Sequence, residues 1–181
     1  VGTSVIYHLS KFGWKDVCLL ERSVLSAGSS WHAAGGVHVL NADPNMSSLQ
    51  AYTIDLLQEI EKESGQNIGL HLTGGLTMAG TPDRWEWLQS TYRIFQSIGI
   101  DDCRLVTPEE AGQLNPIMST KGFYGGMWND REGYLDTTGT VRAYANAARK
   151  RGAEYYEQTK VESLQPTKEG WCITTDKGIV N

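Results

Sequence analysis

The residues with the clearest capacity for chemistry lie in a run of small side chains that contains one imidazole, from Ala27 to Gly36. Glycine, alanine and serine let backbone N–H groups approach a bound pyrophosphate closely. His32 is the only nucleophilic ring in this run, which begins six residues after Glu21, the acid that ends an apolar segment. The pattern predicts a loop that anchors a nucleotide cofactor.

A second pair of residues points to a dinucleotide. Gly2 directly precedes a helical pattern, and Glu21 ends the next apolar strand 19 residues later. The helix N-terminus would face the pyrophosphate, and the carboxylate would accept hydrogen bonds from ribose hydroxyls. We expect Gly2 to be the last glycine of a dinucleotide-binding turn, with a Gly-x-Gly before Val1. A glycine and a surface glutamate that merely end elements remain the alternative.

The histidines have a structural alternative as well. A loop histidine bonded to the backbone is the commoner outcome, but the position of His32 after an acid-ended strand favours a ligand role, because open α/β sheets bind ligands at that edge. Trp31 is expected to lie in the core. Structural roles are expected for His8, His38 and His71.

Composition and missing motifs exclude several classes of protein. A net charge of −5 provides no basic surface for nucleic acid. Three separated cysteines without Cys-x-x-Cys spacing favour a reducing compartment and no zinc site. Metal-binding histidine pairs and a Gly-x-Ser-x-Gly turn are missing, which disfavours zinc and serine hydrolases. No run approaches the roughly 18 apolar residues that membrane insertion needs.

The first half of the chain predicts two helices and several strands. The first helix runs from Gly2 to Gly13, with an apolar face at Val5, Ile6, Leu9 and Phe12. An unbroken apolar strand, 17–20, should be covered on both faces. The second helix begins at Asp43-Pro44 and ends at Gly65. Its predicted apolar face consists of Leu49, Tyr52, Leu56, Leu57 and Ile60.

Turn and helix-cap residues predict the elements from residue 70 onward. Segments 70–72 and 76–78 are predicted to form a hairpin around Gly74-Gly75. Helices are predicted after the caps Thr81-Pro82, Thr107-Pro108 and Asp136-Thr137, and a strand over 122–128. Three short strands follow over 153–158, 160–165 and 171–175, with turns at 168–170 and 176–178. Because the chain opens without methionine on a helix and ends within a strand, we expect a fragment.

Several motifs in their order closely resemble the dimethylglycine and sarcosine dehydrogenase family of flavoproteins, which belongs to the D-amino-acid-oxidase-like superfamily. The resemblance extends over nearly the whole chain. It rests on Gly2-Thr3-Ser4-Val5, Leu19-Leu20-Glu21-Arg22, Ala27 to Gly35, Glu61 to Gln66, Gly74-Gly75-Leu76, Thr107 to Glu110, Glu132 to Asp136 and Ala147 to Ala153.

The resemblance implies that His32 is bonded covalently to the 8α-methyl carbon of FAD. It also implies a set of further flavin-contacting residues, with Gly36 departing from the leucine often found in the family. These are Val1, Gly2, Glu21, Arg22, Gly28, Ser29, Ser30, Trp31, Ala33, Ala34, Gly35, Gly36 and Val161.

The fold class implied is α/β, with a Rossmann-like FAD-binding domain and an inserted mixed-sheet substrate domain, incomplete at both ends. The expected segments are 1–66 for the first part of the FAD-binding domain, 67–130 for the start of the substrate-binding region, and 131–181 for the second part of the FAD-binding domain.

The implied activity is oxidation of an N-methylated amino acid, dimethylglycine or sarcosine, by hydride transfer to the flavin, with demethylated amine and formaldehyde as products. Electron-transfer flavoprotein or oxygen would accept the electrons, and a tetrahydrofolate domain would follow the chain. The expected compartment is a bacterial cytoplasm or the mitochondrial matrix. The alternatives are an amine or amino-acid oxidase with non-covalent FAD and a non-catalytic flavin-binding module.

Overall fold

A computed structural model of the chain describes residues 1–168 and 170–180. The predicted turn at 168–170 includes Glu169, and the predicted final strand segment includes Asn181; both residues lie outside the described part. The helices are α1 (Gly2–Lys11), a short 3₁₀ helix (Ser30–His32), α2 (Pro44–Ser64), α3 (Pro82–Ser97), α4 (Pro108–Leu114) and α5 (Thr137–Lys150).

Within the described residues, the strands form four small sheets. They are β1 (Cys18–Leu20), β2 (Gly36–Val37), β3 (Gly75–Ala79), β4 (Cys103–Val106), β5 (Gly125–Asn129), β6 (Gly133–Tyr134), β7 (Glu154–Tyr156), β8 (Val161–Pro166), β9 (Trp171–Thr175) and β10 (Gly178–Val180). β1 pairs in parallel with β7, and all other strand pairs are antiparallel. The predicted α/β class is confirmed.

Two compact units divide the chain: one contains residues 1–34, 59–69 and 136–181, and the other contains 35–58 and 70–135. We call the first the nucleotide unit, because it contains most of the predicted cofactor residues. We call the second the sheet unit, because it contains the three-stranded sheet of β3, β4 and β5. The predicted segment 1–66 contributes to both units, because its residues 35–58 belong to the sheet unit. The functional domain boundaries stay a prediction, since compactness and function are different properties.

In the nucleotide unit, α1 packs on α5 through several small side chains and one pair of tyrosine rings. Thr3, Ile6, Tyr7 and Ser10 are the buried residues of α1, and α5 buries mostly alanines. The rings of Tyr7 and Tyr144 meet edge to face at 5.5 Å between centroids. Small residues let the two helix backbones approach closely, which explains why threonine and serine replace larger apolar residues on the buried face.

In the sheet unit, β5 is the central strand of the order β3-β5-β4. Helix α3 contacts all three strands. The Thr81 hydroxyl accepts a hydrogen bond from the Arg84 N–H, which confirms the predicted cap of α3. A hydrophobic cluster fills the space under the sheet, and it consists of Val39, Ile54, Ala79, Leu88, Phe95, Ile100, Cys103 and Met127.

Two predicted apolar faces are partly wrong. Val5 on α1 and Phe12 just after it are exposed, and on α2, Leu49 and Tyr52 are exposed. Helical spacing defines an apolar stripe, whereas the packing partner selects which edge of that stripe is buried. On α2 the partner covers a stripe that includes Ile54 instead.

Two predictions about strands are also wrong. Cys18 of β1 is exposed and Leu20 is half-buried, because β1 pairs only with β7 among the described residues. The hairpin around Gly74-Gly75 does not form: β3 pairs with β5, and His71 forms an isolated bridge with Tyr134. Within residues 1–168 and 170–180, no helix is long and apolar enough to cross a membrane.

Candidate nucleotide site

Five of the predicted cofactor residues line one cavity of about 180 Å³ in the nucleotide unit. They are Val1, Gly2, Glu21, Gly28 and Ser30. The cavity is smaller than the 300–1,000 Å³ typical of sites for drug-sized ligands, so it suits part of a nucleotide rather than a whole dinucleotide. Residues from both ends of a 30-residue stretch are therefore brought together at one place.

The N-terminus of α1 provides backbone donors at this cavity. Val1 is the N-cap residue, and no side chain caps the helix or places an acid in its first turn. The first N–H groups of an α-helix have no partner within the helix and carry a partial positive charge. An anionic group can therefore bind here without competing with a carboxylate of the same turn.

Gly2 allows α1 to approach the strand that follows it. A Cβ atom on Gly2 would lie 2.9 Å from Cδ1 of Leu19 in β1. Close helix–strand packing is the role of the third glycine in a dinucleotide-binding fingerprint. This contact supports the position that the sequence predicts for Gly2.

Glu21 presents one carboxylate oxygen to the protein. Its Oε1 accepts a hydrogen bond from the Ser23 N–H at 2.8 Å. Oε2 has no hydrogen-bond partner among the described residues. The half-buried carboxylate is thereby oriented at the cavity and keeps one oxygen free to accept a hydrogen bond from a hydroxyl group.

Hydrogen bonds with residues that follow β7 fix the loop that carries these residues. The N–H of Gln158 donates to the Ser23 carbonyl at 2.6 Å, and that of Thr159 donates to the Glu21 carbonyl at 2.8 Å. The Leu25 N–H donates to Oε1 of Glu157 at 2.6 Å. The loop after β1 is thus held by residues more than 130 positions later in the sequence.

His32 lies at the end of the 3₁₀ helix and is exposed. Its ring lies 3.9 Å from the Trp31 ring, centroid to centroid, with 35° between the planes. Trp31 is 57% exposed, so the prediction that it belongs to the core is wrong. The tryptophan packs on the imidazole instead because this short helix lies at the surface, in contact with α5.

The other predicted contact residues do not line the cavity. Arg22, Ser29, Ala33 and Ala34 are exposed in the same loop region. Val161 is exposed at the start of β8, where it pairs with Thr175. Gly35 and Gly36 belong to the sheet unit, where Gly36 pairs with Tyr134.

Sequence reasoning missed several residues that line the cavity, namely Thr3, Leu19, Leu25, Ser26 and Val141. Thr3 and Leu19 neighbour predicted positions and could have been found from them. Val141 lies on α5, more than 100 residues away, and no local pattern indicates its position. Within the described ranges, no group of three or more histidine, cysteine or acidic side chains could hold a metal ion.

Glycine geometry is compatible with a phosphate group in the cavity. A Cβ atom on Gly28 would find no other atom within 4 Å, so the backbone there faces open space. Together with the uncapped helix and the free oxygen of Glu21, this surface offers N–H donors for a pyrophosphate and an acceptor for a ribose. The residues present therefore fit the pyrophosphate and the adenosine ribose of FAD.

A profile of the family described as FAD dependent oxidoreductase matches residues 1–181. The chain is 34% identical over 182 residues to mitochondrial dimethylglycine dehydrogenase of Rattus norvegicus, covering 99% of this chain and 21% of the rat protein. It is 30% identical over 180 residues to mitochondrial sarcosine dehydrogenase of Homo sapiens, covering 99% and 20%. It thus spans about a fifth of the length of these relatives.

One similar protein bears a name that is not that of an enzyme. The pyruvate dehydrogenase phosphatase regulatory subunit of Mus musculus mitochondria is 31% identical over 180 residues, covering 98% of this chain and 20% of that protein.

Among solved structures, L-proline dehydrogenase from P. horikoshii superimposes with a TM-score of 0.89 at 23% identity, covering 100% of this chain and 48% of that one. At this identity the superposition demonstrates a shared fold.

Proposed function

The chain belongs to the family of FAD-dependent oxidoreductases, and from this premise we propose that its protein oxidises an N-methylated amino acid of the dimethylglycine or sarcosine type. The observation that carries the proposal is the convergence of Gly2, Glu21 and Gly28 on one cavity at a helix N-terminus. The similarity to dimethylglycine and sarcosine dehydrogenases supplies the substrate class.

In this proposal the nucleotide unit holds the cofactor mainly with main-chain groups. The first N–H groups of α1 bind the pyrophosphate, and the backbone at Gly28 approaches it without a side chain in between. Oε2 of Glu21 accepts a hydrogen bond from the adenosine ribose. Bound FAD supplies the hydride acceptor for the N-methyl carbon, and hydrolysis of the oxidised amine gives formaldehyde and the demethylated product.

We assign covalent attachment of the flavin to His32. The imidazole is exposed and lies in the same loop as the cavity residues Gly28 and Ser30. The contact with the Trp31 ring limits its rotation. A restrained, accessible imidazole would hold the flavin through a ring nitrogen bonded to its 8α carbon, as the family resemblance implies. Forming that C–N bond breaks one C–H bond of the 8α-methyl group, and the two electrons left on the flavin would pass to the electron acceptor.

The reaction partners follow from the same relatives. We propose electron-transfer flavoprotein or oxygen as electron acceptor, and a tetrahydrofolate-binding domain elsewhere in the protein as receiver of the one-carbon unit. The mitochondrial relatives favour the mitochondrial matrix, with a bacterial cytoplasm as the other candidate compartment.

Acid precipitation of the FAD-loaded full-length protein tests the attachment. We expect flavin absorbance to remain in the washed pellet of the unmodified protein and to move to the supernatant for His32→Ala. His71→Ala is the matched control, because it removes an exposed imidazole from the sheet unit. Flavin found wholly in the supernatant of loaded, unmodified protein would favour an oxidase with non-covalent FAD.

A non-catalytic role is the second candidate, favoured by the similarity to a phosphatase regulatory subunit. Anaerobic addition of sarcosine or dimethylglycine separates the two. If the protein is an enzyme for these amines, the added amine reduces the flavin within seconds of mixing. The visible absorbance of the oxidised flavin is then lost. Flavin that stays oxidised with both amines, in loaded protein, would contradict the proposed oxidation of these two substrates.

A further inference from the structure

Glu157 holds the loop after β1 with its side chain. Its Oε1 accepts a hydrogen bond from the Leu25 N–H at 2.6 Å. The contacts that Gln158 and Thr159 make with the same loop use main-chain groups on both sides. Within residues 1–168 and 170–180, the Leu25 N–H has no other hydrogen-bond partner. The bond to Glu157 is therefore a contact with the loop that a change of side chain can remove.

Leu25 borders two cavities of the nucleotide unit. Its buried side chain lines the cavity at the N-terminus of α1 and also a polar cavity of about 190 Å³. Of these two cavities, Glu157 lines the polar one, together with Arg142 and Asn146 of α5. Because Leu25 borders open space twice, packing restrains it less than it restrains a residue in a filled core. The hydrogen bond to Glu157 supplies the missing restraint from outside the nucleotide cavity.

The backbone near this contact is strained on both sides. Ser26 has a φ of 72° and Gln158 a φ of 53°, in the left-handed region that residues other than glycine rarely adopt. Residues 22–24 are exposed, so few apolar contacts hold the loop. Strained conformations persist only where surrounding contacts impose them. The hydrogen bond from Leu25 to Glu157 is one of those contacts.

The contact bears on the cofactor through Glu21. The Ser23 N–H, two residues before that of Leu25, donates to Oε1 of Glu21 and so orients its carboxylate. We propose that Glu157 is a positioning residue for the cofactor, and this inference rests on the function proposed above. Glu157 holds Leu25 and with it Ser23, and Ser23 keeps Oε2 of Glu21 directed at the ribose. Glu157 itself does not touch the ligand, because it does not line the cavity that binds it.

Calorimetric titration of the flavin-free full-length protein with adenosine diphosphate tests this role. The probe contains the pyrophosphate and the adenosine ribose of FAD but no flavin ring, so its binding depends neither on covalent attachment nor on oxidation. Glu157→Ala should weaken binding about tenfold, the effect of one lost hydrogen bond to a charged group. Glu157→Gln keeps an oxygen that can accept the Leu25 N–H, and should weaken binding less than about threefold. Equal affinities of Glu157→Ala and the unmodified protein would overturn the proposal.

The sign of the change separates positioning from general electrostatics. Adenosine diphosphate is an anion, so the removal of a negative charge near it would by itself strengthen binding. Glu154→Ala is the matched control, because it removes the same charge from β7. The Glu154 carboxylate accepts a hydrogen bond from the Tyr156 hydroxyl and none from the loop. We expect this control to bind at least as tightly as the unmodified protein, and a loss as large as that for Glu157→Ala would overturn the proposal.

A second substitution tests the route through Glu21. When Glu157→Ala is added to Glu21→Ala, the affinity should change less than about twofold, because the carboxylate that Glu157 positions is already missing. A loss of about tenfold in that background as well would show that Glu157 acts on the loop as a whole, and would overturn the positioning role. Failure of dimethylglycine and sarcosine to reduce the flavin of the loaded protein would instead contradict the proposed function, whatever these affinities are.

Discussion

The two compact units differ in which groups form their cavities. In the nucleotide unit, the loop after β1 is fixed by backbone hydrogen bonds from Gln158 and Thr159, and its cavity is lined largely by backbone and small side chains. In the sheet unit, a cavity of about 180 Å³ is lined by His38, Gln50 and aliphatic side chains. That unit also contains a cluster with fully buried Leu88 and Phe95.

This difference indicates how each region responds to mutation. Where main-chain groups form the site, an added side chain obstructs the ligand, and truncating a side chain removes few contacts with that ligand. Where side chains form the core and the cavity, removing atoms leaves a void or an unpaired group. Three substitutions test this contrast, and their expected effects decrease from the first to the third.

The largest effect is expected in the core of the sheet unit. Leu88→Ala should lower the free energy of unfolding by about 2–5 kcal/mol, because Leu88 is fully buried and its loss leaves a cavity. Urea denaturation followed by circular dichroism measures this change. Leu49→Ala is the matched control: Leu49 is 55% exposed, so we expect a change within about 0.5 kcal/mol. Equal losses for both leucines would contradict the contrast.

The second substitution adds one methyl group to the nucleotide cavity. Gly28→Ala should leave stability nearly unchanged, since no atom lies within 4 Å of the new Cβ and Gly28 does not have positive φ. FAD affinity of the protein, measured by calorimetric titration before any covalent bond forms, should fall about tenfold, or 1.4 kcal/mol.

Gly80→Ala is the control for that measurement. Gly80 is an exposed glycine of the sheet unit, and its added Cβ would make an ordinary contact with Phe123 at 3.8 Å. We expect FAD affinity to stay unchanged. An equal loss for both glycines would mean that the loss at Gly28 reflects unfolding or general disturbance rather than obstruction of the cofactor.

The smallest effect concerns an ion pair in the nucleotide unit. Burial raises the pKa of Glu63, but hydrogen bonds from Arg151 Nε at 2.6 Å and the Tyr7 hydroxyl at 3.1 Å outweigh this and leave the pKa below its usual 4.5. A lowered carboxyl pKa stabilises the fold above the unfolded pKa. This stabilisation is lost as pH falls from about 4.5 through the lowered pKa.

Arg151→Gln should therefore reduce stability at pH 7 by about 1 kcal/mol, a value that allows for the partial exposure of the pair. Below the folded pKa of Glu63 the difference between variant and unmodified protein should vanish. Urea denaturation at several pH values measures it, with exposed Arg93→Gln as control. A difference that persists at low pH would show that Arg151 acts through packing rather than charge.

Local signals in the sequence predicted helix ends well. The capping box of Thr107 and Glu110 and the caps at Thr81 and Asp136 are present in the structure. Gly13 and Gly65 follow their helices with positive φ, as the C-terminal signals indicate. These features depend on hydrogen bonds within a few residues, so a short window of sequence contains all the necessary information.

The glycine pair at 74–75 illustrates the opposite case. The sequence predicted a hairpin turn, but both glycines allow close contacts with residues some 55 positions later. A Cβ on Gly74 would lie 2.0 Å from the Trp128 ring, and one on Gly75 would lie 2.0 Å from Oε2 of Glu132. The same residue type serves turns and close approaches, and only the distant partner distinguishes them.

The candidate site likewise contains residues that local patterns predict and residues whose positions depend on distant contacts. Gly2, Glu21, Gly28 and Ser30 were found from residue type and spacing, because a helix start, a strand end and a small-residue loop are local features. Leu25 and Val141 were not found, since their places depend on Glu157 and on α5.

By itself, the sequence determined the α/β class, the caps of α3, α4 and α5, and the family, because each depends on nearby side chains or on motif order. The tertiary structure alone decided which stripe of each helix is buried, that β3 pairs with β5, and that Oε1 of Gln50 is buried without a hydrogen-bond partner among the described residues. Those properties arise from contacts between residues far apart in the chain, and a local pattern carries no information about which distant partner it meets.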